Sequence, residues 1–479
     1  MLLQVVQSFL DILTSTVILY GTTALLILLG CGLTVVLQSS NASTLRRQLK
    51  HLKLQGISPS KSNMVDQYDS QYAIPQDTNP VPKEPVRIKS IYIHPIKSCG
   101  PIELDRALLT KTGFLYDRCF ALATETASPG SPPEWKFISQ RTKPTMSLIQ
   151  TYLWTPHESS DPNDPLVQAG GCLVVTFPHP DTDTHSFRWI DRLDSFVHTG
   201  NLNPTPEISF IVPLHPTPSQ ISSYDISLQT FRIHGRAASG LNISAIPSIA
   251  TALPKLKRFL RIPDSQPLVL LRCTPDTLLP TTKNLAPLEH IGSRAVHGYT
   301  DQQPININSV SSVHAVSALL PPENQPLNAL RFRANIWTTG SVAYDEETWK
   351  RYRIIPRRQA SSTQADRYAD VSPTLSVVCR TSRCTMPNVN PDTGIFDTDV
   401  APAGRKKGKP QPSTTLVAHR TVETGNASAL GYLGMHCVPE DSGLKEAERQ
   451  GRGLIVSVGD EIEVLERGVH VYGSTGGDY

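Results

Sequence analysis

The longest uncharged and mainly apolar run of the chain lies close to its start. Residues 12–37 contain no charged side chain over 26 positions. As a helix this run would be about 39 Å long, against a hydrocarbon core of roughly 30 Å. It therefore predicts one transmembrane helix behind an N-terminal stub at 1–11. A cleaved signal peptide, the alternative, has a basic start and a shorter apolar core, whereas the only charge before this run is Asp11.

Basic residues follow the run and set its expected orientation. Arg46, Arg47, Lys50 and Lys53 come shortly after it, and the side of a membrane that carries such cations is the cytosolic one. We therefore expect a single-pass protein whose remaining chain lies in the cytosol. In a cytosolic domain the eight cysteines are expected to be reduced thiols rather than disulfides.

Short apolar and alternating runs dominate the rest of the chain. Residues 38–85 are polar and rich in Pro and Ser, which predicts a flexible linker. Residues 86–93 alternate with a change of phase after Ile88, which predicts a strand with a bulge. A helix is predicted at 247–262, broken or kinked by Pro254. Three further apolar runs predict strands, at 118–124, 171–177 and 267–273.

The C-terminal part carries a turn signal between two alternating segments. Residues 453–465 read GLIVSVGDEIEVL, with apolar positions alternating on both sides of Gly459-Asp460. This pattern predicts a β-hairpin. Because short strands outnumber amphipathic helices, the expected fold class is mainly β with some α, built as barrels rather than as a doubly wound sheet.

Composition and charge narrow the classes of function. Hydrophobic residues make up 39% and charged residues 18% of the 479 positions, which is enough for a core and for two to three domains. The formal net charge is only +3. That value is too small to argue for a nucleic-acid partner, and we expect none.

The segment SRCTMPNVNPDTG, residues 382–394, places Cys384 between Arg383 and a turn. A thiol there could be a buried structural cysteine or a nucleophile, which needs a nearby base. It could also be a zinc ligand, but Cys379 is five positions away and no second pair has the usual spacing. A soft-metal ligand needs only a thiolate in a cationic setting, which Arg383 favours while attracting an anionic cofactor.

The same segment resembles the cysteine motif of MOSC domains, the molybdenum cofactor sulfurase C-terminal fold. In that family Ser-Arg-Cys precedes a turn similar to Asp-Pro-Asp-Thr-Gly, and here Ser382-Arg383-Cys384 precedes residues 390–394. The resemblance implies an N-terminal β-barrel domain at 86–240 and a MOSC β-barrel domain at 241–479. Other segments resemble the family's motifs in the family's order, at 91–100, 113–122, 137–149, 330–349 and 453–465.

Within this family the chain resembles the membrane-anchored mitochondrial amidoxime-reducing components. The resemblance implies an oxidoreductase with a molybdenum cofactor, a Mo-pyranopterin, that reduces N-hydroxylated small molecules. Its electrons would come from NADH through a flavin reductase and a small b-type cytochrome. It implies that Cys384 is the catalytic molybdenum ligand. It further implies that seven residues hold the pterin and its phosphate: Lys97, Ser98, Arg118, Arg333, Asn335, Ser382 and Arg383. The bilayer implied is the outer mitochondrial membrane, with the endoplasmic reticulum as second choice.

The chain departs from the family's pattern at two positions, and other functions stay open. Ala334 replaces the proline of the usual Arg-Pro-Asn, and Asn390 replaces the first Asp of the turn; neither change removes a predicted ligand. A sulfur-carrier role is one alternative, since MOSC domains also occur in cofactor sulfurases beside a pyridoxal-phosphate-dependent desulfurase domain. No stretch of this chain fits that domain. A non-enzymatic membrane adaptor is another alternative, but it would not need Cys384.

Overall fold

The architecture is that of a computed structural model. It describes residues 41–76, 85–126, 133–181, 205–357, 368–401, 407–423 and 430–471, with isolated positions between 7 and 30, between 192 and 197 and at 404. The predicted stub at 1–11 and transmembrane helix at 12–37 lie almost wholly outside the described residues. Within those residues, no helix combines the length and the apolar character needed to cross a membrane.

Strands outnumber helices in the described part of the chain, so the expectation of a mainly β fold with some α is confirmed there. The strands are β1 (Leu52–Gln55), β2 (Arg87–Ile93), β3 (Ile102–Leu104), β4 (Arg106–Thr110), β5 (Gly113–Phe114), β6 (Phe120–Thr126), β7 (Glu134–Phe137), β8 (Gln150–Pro156), β9 (Cys172–Pro178), β10 (Glu207–Pro213), β11 (Leu228–Ile233), β12 (Arg236–Asn242), β13 (Leu268–Arg272), β14 (Leu279–Pro280), β15 (Val296–His297), β16 (Ile305–Ser309), β17 (Ile336–Thr339), β18 (Trp349–Ile355), β19 (Thr374–Arg383), β20 (Gly431–Pro439), β21 (Leu454–Ser457) and β22 (Glu461–Arg467).

The α-helices between them are short, except for the fourth. They are α1 (Asn41–Gln48), α2 (Pro165–Gln168), α3 (Pro218–Ser223), α4 (Pro247–Phe259), α5 (Leu288–Ile291), α6 (Val310–Ser317), α7 (Ser413–His419) and α8 (Asp441–Arg449). Single 3-10 turns complete the connections, among them Ala329–Phe332 and Met386–Asn388.

The larger barrel is closed by a strand from the N-terminal part of the fold. Its order is β17-β16-β20-β19-β18-β22-β2, and β2 pairs in turn with β17, so the ring is complete and β3 extends it from β2. Closure leaves the ring without an unpaired edge. Ile91 of β2 belongs to the same buried cluster as Trp349 and Tyr352 of β18. Residues of the first predicted domain therefore complete the barrel of the second.

A smaller closed barrel is formed by β11-β12-β13-β6-β7. Its own buried cluster includes Phe231 and Tyr299, whose rings meet edge to face at 5.3 Å. The predicted domain boundary between residues 240 and 241 falls inside β12, whose register joins β11 on one side and β13 on the other. A separate four-stranded sheet has the strand order β1-β8-β9-β10.

The bulge predicted in the first strand of the folded region is confirmed. In the pairing of β2 with β17, Trp337 is opposite Ser90 and Thr338 is opposite Ile88. Lys89 therefore has no partner in the register, which is the extra residue of a β-bulge. The change of phase in the apolar pattern after Ile88 reflects this extra residue.

The hairpin predicted at 453–465 is wrong, although both of its strands exist. β21 pairs with β4, whereas β22 pairs with β18 and β2. The turn between them is held by the first strand of the larger barrel, because Gly459 N donates to Ile88 O and Ile88 N donates to Asp460 O. Alternation and a Gly-Asp turn predict two strands, but they do not determine which edge each strand joins.

Of the two outcomes predicted at Pro254, a break or a kink, the break does not occur. Helix α4 runs without interruption from Pro247 to Phe259 and contains Pro254 in its interior. Pro254 lies on the exposed side of the helix, while Ile249 and Leu256 are buried on the other side. A proline inside a helix removes one hydrogen bond; the buried apolar stripe compensates here because it anchors both halves of the helix to the core.

The predicted linker at 38–85 is part of the fold wherever it is described. Residues 52–55 form β1 and pair with β8, and Met64 is only 1% exposed in a cluster with Tyr92 and Leu327. Asn63 N donates to Glu103 Oε1 at 2.9 Å. The polar, Pro-rich composition concealed these few anchoring contacts, so residues 41–76 are ordered against the barrels rather than free.

Replacing Met64 with alanine is expected to destabilise the folded chain by about 2–3 kcal/mol, because a buried methionine leaves a cavity when truncated. The matched control is Val65→Ala, since Val65 is 75% exposed and exposed truncations usually change stability by less than about 0.5 kcal/mol. Urea unfolding followed by tryptophan fluorescence measures both values. Equal, small effects of the two substitutions would show that the segment is a tether after all.

Candidate functional site

Loops of both barrels surround one cavity of about 280 Å³. All eight residues implied by the family resemblance line this cavity: Lys97, Ser98, Arg118, Arg333, Asn335, Ser382, Arg383 and Cys384. They come from four separate segments, at the end of β2, before β6, before β17 and at the end of β19. The fold thus brings together every predicted site residue, while their roles stay predictions.

Three of these residues have left-handed backbone conformations. The φ angles are +69° at Ser98, +46° at Arg118 and +52° at Arg333. Residues with a Cβ rarely adopt such angles, which cost energy and cluster at functional sites. The turns that carry these side chains are therefore shaped by the surrounding barrels, which hold the side chains toward the cavity.

The thiol of Cys384 is accessible from solvent. Cys384 directly follows β19 and is exposed, and its sulfur accepts a weak hydrogen bond from Met386 N at 3.5 Å. The next residues form a 3-10 turn whose carbonyls at Pro387 and Asn388 accept from Arg331. Arg331 also pairs with Asp397. A cation on the neighbouring segment therefore fixes the loop that presents the thiol.

The turn after the thiol closes on itself, as the motif predicts. Gly394 N donates to Asn390 O at 2.9 Å, and the Asn390 side chain accepts from Asp392 N at 3.0 Å. Gly394 has a φ of +66°, and a Cβ there would lie 3.1 Å from Leu148. Glycine is required because the turn packs closely against the loop at 144–148 with a left-handed backbone.

Arg118 is held in place by a buried carboxylate and an amide. Its Nη1 donates to Asp117 Oδ2 and to Asn335 Oδ1, and its Nη2 donates to Arg333 O at 2.8 Å. Burial opposes the charge of Asp117, but the Arg118 guanidinium and the contacts with His94 together outweigh it and hold the pKa of Asp117 well below its usual value. Asn335 also donates to Tyr92 O. Asn335 thus orients Arg118 and ties it to β2.

Arg333 keeps one nitrogen without a partner among the described residues. Its Nη1 donates to Cys99 O at 2.8 Å, while its Nη2 is buried and makes no hydrogen bond. Burial, and then the nearby Arg118, lower the pKa of Arg333 to about 10. The guanidinium is still charged at neutral pH. A buried cation with an unused N–H is a costly arrangement that an anionic ligand would relieve.

Arg383 is more fully bound than the sequence suggests. Its nitrogens donate to Leu433 O and Phe332 O, both at 2.8 Å, and to Asn306 Oδ1 at 3.3 Å. Burial lowers the pKa of Arg383 to about 9, so it stays cationic at neutral pH. Its charge contributes to the cavity, but its hydrogen bonds stabilise the larger barrel.

Lys97 and Ser98 form another part of the cavity wall. Lys97 Nζ donates to Tyr299 O at 2.9 Å and to Asp301 Oδ1 at 2.5 Å, and burial lowers the pKa of Lys97 from its usual value. The hydroxyl of Ser98 is buried and has no hydrogen-bond partner among the described residues. An ammonium has three donors, so Lys97 retains one for a ligand.

The electrostatics of the cavity favour an anion. Its lining includes six Lys and Arg side chains but a single carboxylate, that of Asp301. Six polar atoms of the lining are buried without a partner among the described residues: Ser98 Oγ, Thr300 Oγ1, Gln303 Oε1, Arg331 Nε, Arg333 Nη2 and His436 Nδ1. Unused buried polar groups need a ligand or water. The donor set therefore fits a phosphate and a polar heterocycle, as the pyranopterin of a molybdenum cofactor would present.

The structure disfavours the zinc alternative. Cys379 is 2% exposed within an apolar cluster, and burial raises its pKa well above the usual value, whereas Cys384 is exposed. Among the described residues, no group of three or more His, Cys, Asp and Glu side chains could hold a metal ion. A single accessible thiol suits a metal whose other ligands belong to a cofactor.

Several lining residues were not predicted as cofactor residues from the sequence, among them Arg141, His234, Asp301, Asn306 and His436, the last of which was considered only as a zinc ligand beside Cys379 and Cys384. Each is a single polar residue in a strand or loop, with no spacing that distinguishes it from an ordinary surface residue. Burial, and then the charge of Arg383, lower the pKa of His436 to about 3, so its ring is neutral at neutral pH. Only the closure of the barrels reveals these residues.

Comparison with known families agrees with the placement of these segments. Residues 85–186 match the MOSC N-terminal beta barrel domain, and residues 294–463 match the MOSC domain. The first match contains Lys97, Ser98 and Arg118, and the second contains the remaining five predicted residues. No curated protein has a sequence that matches the chain. The chain therefore contains a MOSC N-terminal beta barrel domain and a MOSC domain, the family in which some members bind the molybdenum cofactor.

Proposed function

We propose that this chain binds a molybdenum cofactor in the cavity, with Cys384 as the protein ligand of the metal, and that it reduces N-hydroxylated small molecules. The observation that carries the proposal is the position of Cys384. It is an exposed thiol at the edge of a cavity that combines six cationic side chains with unused buried donors. A soft thiolate and an anion-binding wall are the two features that a Mo-pyranopterin needs.

Individual residues would hold the cofactor in distinct ways. Arg333 Nη2 and Ser98 Oγ are two of the buried donors that have no partner among the described residues. They are the first candidates to bind the phosphate, with Arg118 oriented beside them by Asp117 and Asn335. Planar guanidinium groups suit phosphate oxygens because they present paired N–H donors. Lys97, Arg383 and Ser382 would complete the binding wall.

When bound, the molybdenum group supplies two-electron redox chemistry. Overall, an N-hydroxyl compound, two electrons and two protons give the corresponding N–H compound and water. The chain's own contribution is to balance the charge of phosphate and thiolate with its cations and to hold the thiol loop through Arg331. Phe332 and Met386 supply apolar surface for an organic substrate.

Electron supply and location are further parts of the proposal. Electrons would come from NADH through a flavin reductase and a small b-type cytochrome, as in the amidoxime-reducing components that the sequence resembles. The uncharged run at 12–37 and the cations that follow it support a single membrane anchor with the site on the cytosolic side. The outer mitochondrial membrane is the first choice for that bilayer and the endoplasmic reticulum the second.

Reduction of benzamidoxime to benzamidine tests the proposed activity. The full chain would be produced in a host that makes the pterin cofactor, solubilised in mild detergent and supplied with reduced methyl viologen as an artificial electron donor. We expect benzamidine formation that depends on the protein, measured by chromatography. A cofactor-loaded protein that leaves benzamidoxime unchanged would overturn the N-reductive activity. A persulfide on Cys384 in metal-free protein, seen by mass spectrometry, would favour the sulfur-carrier role instead.

A further inference from the structure

The turn between β11 and β12 brings a histidine to the edge of the cavity. Ile233 pairs with Arg236, so His234 and Gly235 form a two-residue turn with φ angles of +49° and +79°. Positive φ at both positions is typical of the turns that join tightly paired strands. The His234 ring packs edge-on against Phe137, with centroids 4.7 Å apart. Strand register and ring packing therefore fix the imidazole above the cavity.

Both ring nitrogens of His234 have partners, and these partners determine which nitrogen carries the hydrogen. Nδ1 lies 2.7 Å from Arg141 Nη2, and Nε2 lies 2.9 Å from Asp301 Oδ1. A guanidinium can only donate, so Nδ1 accepts and Nε2–H donates to the carboxylate. The described arrangement therefore contains a neutral imidazole between a cation and an anion.

Arg141 differs from the other arginines of the lining. Arg118 and Arg331 are paired with carboxylates, and Arg333 and Arg383 donate to backbone carbonyls. Among the described residues, Arg141 makes side-chain hydrogen bonds only to the His234 ring. No carboxylate in the described part of the chain forms a direct ion pair with Arg141, since Asp301 contacts His234 and Lys97 instead. An imidazole lone pair is a weaker partner for a guanidinium than a carboxylate.

We propose that Arg141 forms a subsite for a carboxylate group of the substrate at this edge of the cavity. The inference rests on the proposed function for its chemistry, since it narrows the substrates to N-hydroxylated compounds that also carry a carboxylate. The carboxylate replaces the His234 imidazole as the acceptor for Arg141. A guanidinium binds a carboxylate through paired N–H donors.

Titration calorimetry with two matched ligands tests the subsite on the full chain in detergent. The ligands are 4-carboxybenzamidoxime and benzamidoxime, both at neutral pH. We expect the parent to bind the carboxylated compound about tenfold more tightly than benzamidoxime, the ratio that a single charge-assisted pair can provide. Arg141→Gln is expected to remove this preference.

A control variant completes the test. Arg258→Gln is the matched control, because Arg258 is an exposed arginine that pairs with Asp181 and does not line the cavity. We expect it to retain the preference. The subsite is overturned if Arg141→Gln binds the carboxylated compound as the parent does, or if the carboxylate gives no preference. Binding is measured without turnover, so a protein that fails to reduce benzamidoxime still shows whether the carboxylate is recognised.

Discussion

Replacing Cys384 with alanine is expected to lower the rate of benzamidoxime reduction by more than about 100-fold while leaving the fold intact. Residues that only support a metal ligand typically contribute 10–100-fold, and the ligand itself contributes more. The thiol is exposed, and its one hydrogen bond is the weak contact from Met386 N. Its removal should therefore change the free energy of unfolding by less than about 0.5 kcal/mol. Rates with reduced methyl viologen and urea unfolding measure the two effects.

The matched control for this prediction is Thr385→Ala. Thr385 is the exposed neighbour of Cys384 and does not line the cavity, so the substitution disturbs the same loop without touching the thiol. We expect the control to keep its rate within about twofold of the parent. A Cys384→Ala variant that reduces benzamidoxime as fast as the control would exclude the thiol from the reaction.

The folding stability of the chain is expected to fall in mild acid, before most of its carboxylates are neutralised. Four histidines are buried and neutral. Burial is the main cause, lowering the pKa of His436 to about 3 and those of His297 and His470 to about 4, and holding that of His94 well below the usual value. In the unfolded chain each takes up a proton near pH 6.5. The unfolded state therefore binds more protons below that pH, and folding stability falls as pH falls from about 6.5 toward 4.

Buried carboxyl groups act in the opposite direction. Burial, and then the neighbouring Glu347, raise the pKa of Glu346 to about 7, so the folded chain holds that proton in a range where the unfolded chain releases it. Burial also raises the pKa of Glu207 and of Asp460. Because the four histidines outnumber these groups, we expect a net loss of folding stability between pH 7 and pH 5.5, on the order of 3 kcal/mol. The urea midpoint of the full chain should fall clearly over this interval.

A single substitution tests whether the buried histidines cause this dependence of folding stability on pH. His470→Gln can keep the hydrogen bond to Trp349 O, which the ring Nε2 makes at 2.9 Å, while removing one group that titrates in the unfolded chain. We expect a shallower dependence of stability on pH than in the parent. His157→Gln is the control because His157 is exposed, and it should leave the dependence unchanged. A urea midpoint that is constant from pH 7 to pH 5.5 would contradict this explanation.

Local patterns predicted strands well and their partners poorly. The phase change after Ile88 anticipated the bulge at Lys89 because a bulge alters the alternation of one strand alone. The hairpin prediction failed because the partners of β21 and β22 are β4, β18 and β2, far away in the sequence. Pairing depends on which edges the whole sheet leaves open, and a window of thirteen residues carries no information about that.

The sequence predicted those site residues that lie within the family motifs. The family motifs gave eight residues, and the fold places all eight around one cavity. Arg141, His234 and Asp301 were missed since isolated polar residues carry no periodic signal. Asn335 was predicted as a cofactor residue, but its hydrogen bonds go to Arg118, Asn306 and Tyr92. Sequence motifs identify which residues gather at the site. Hydrogen-bond geometry then distinguishes the residues that face a ligand from the residues that hold those side chains in position.

Molybdenum content tests the central claim most directly. The full chain would be produced in a host that makes the pterin cofactor, purified in detergent and measured by elemental mass spectrometry, beside an Arg333→Leu variant and a known molybdenum enzyme from the same host. We predict close to one molybdenum per parent chain and a large loss in the variant, because Arg333 is a buried cation with an unused donor. A folded parent without molybdenum, beside a fully loaded reference enzyme, would contradict the proposed function.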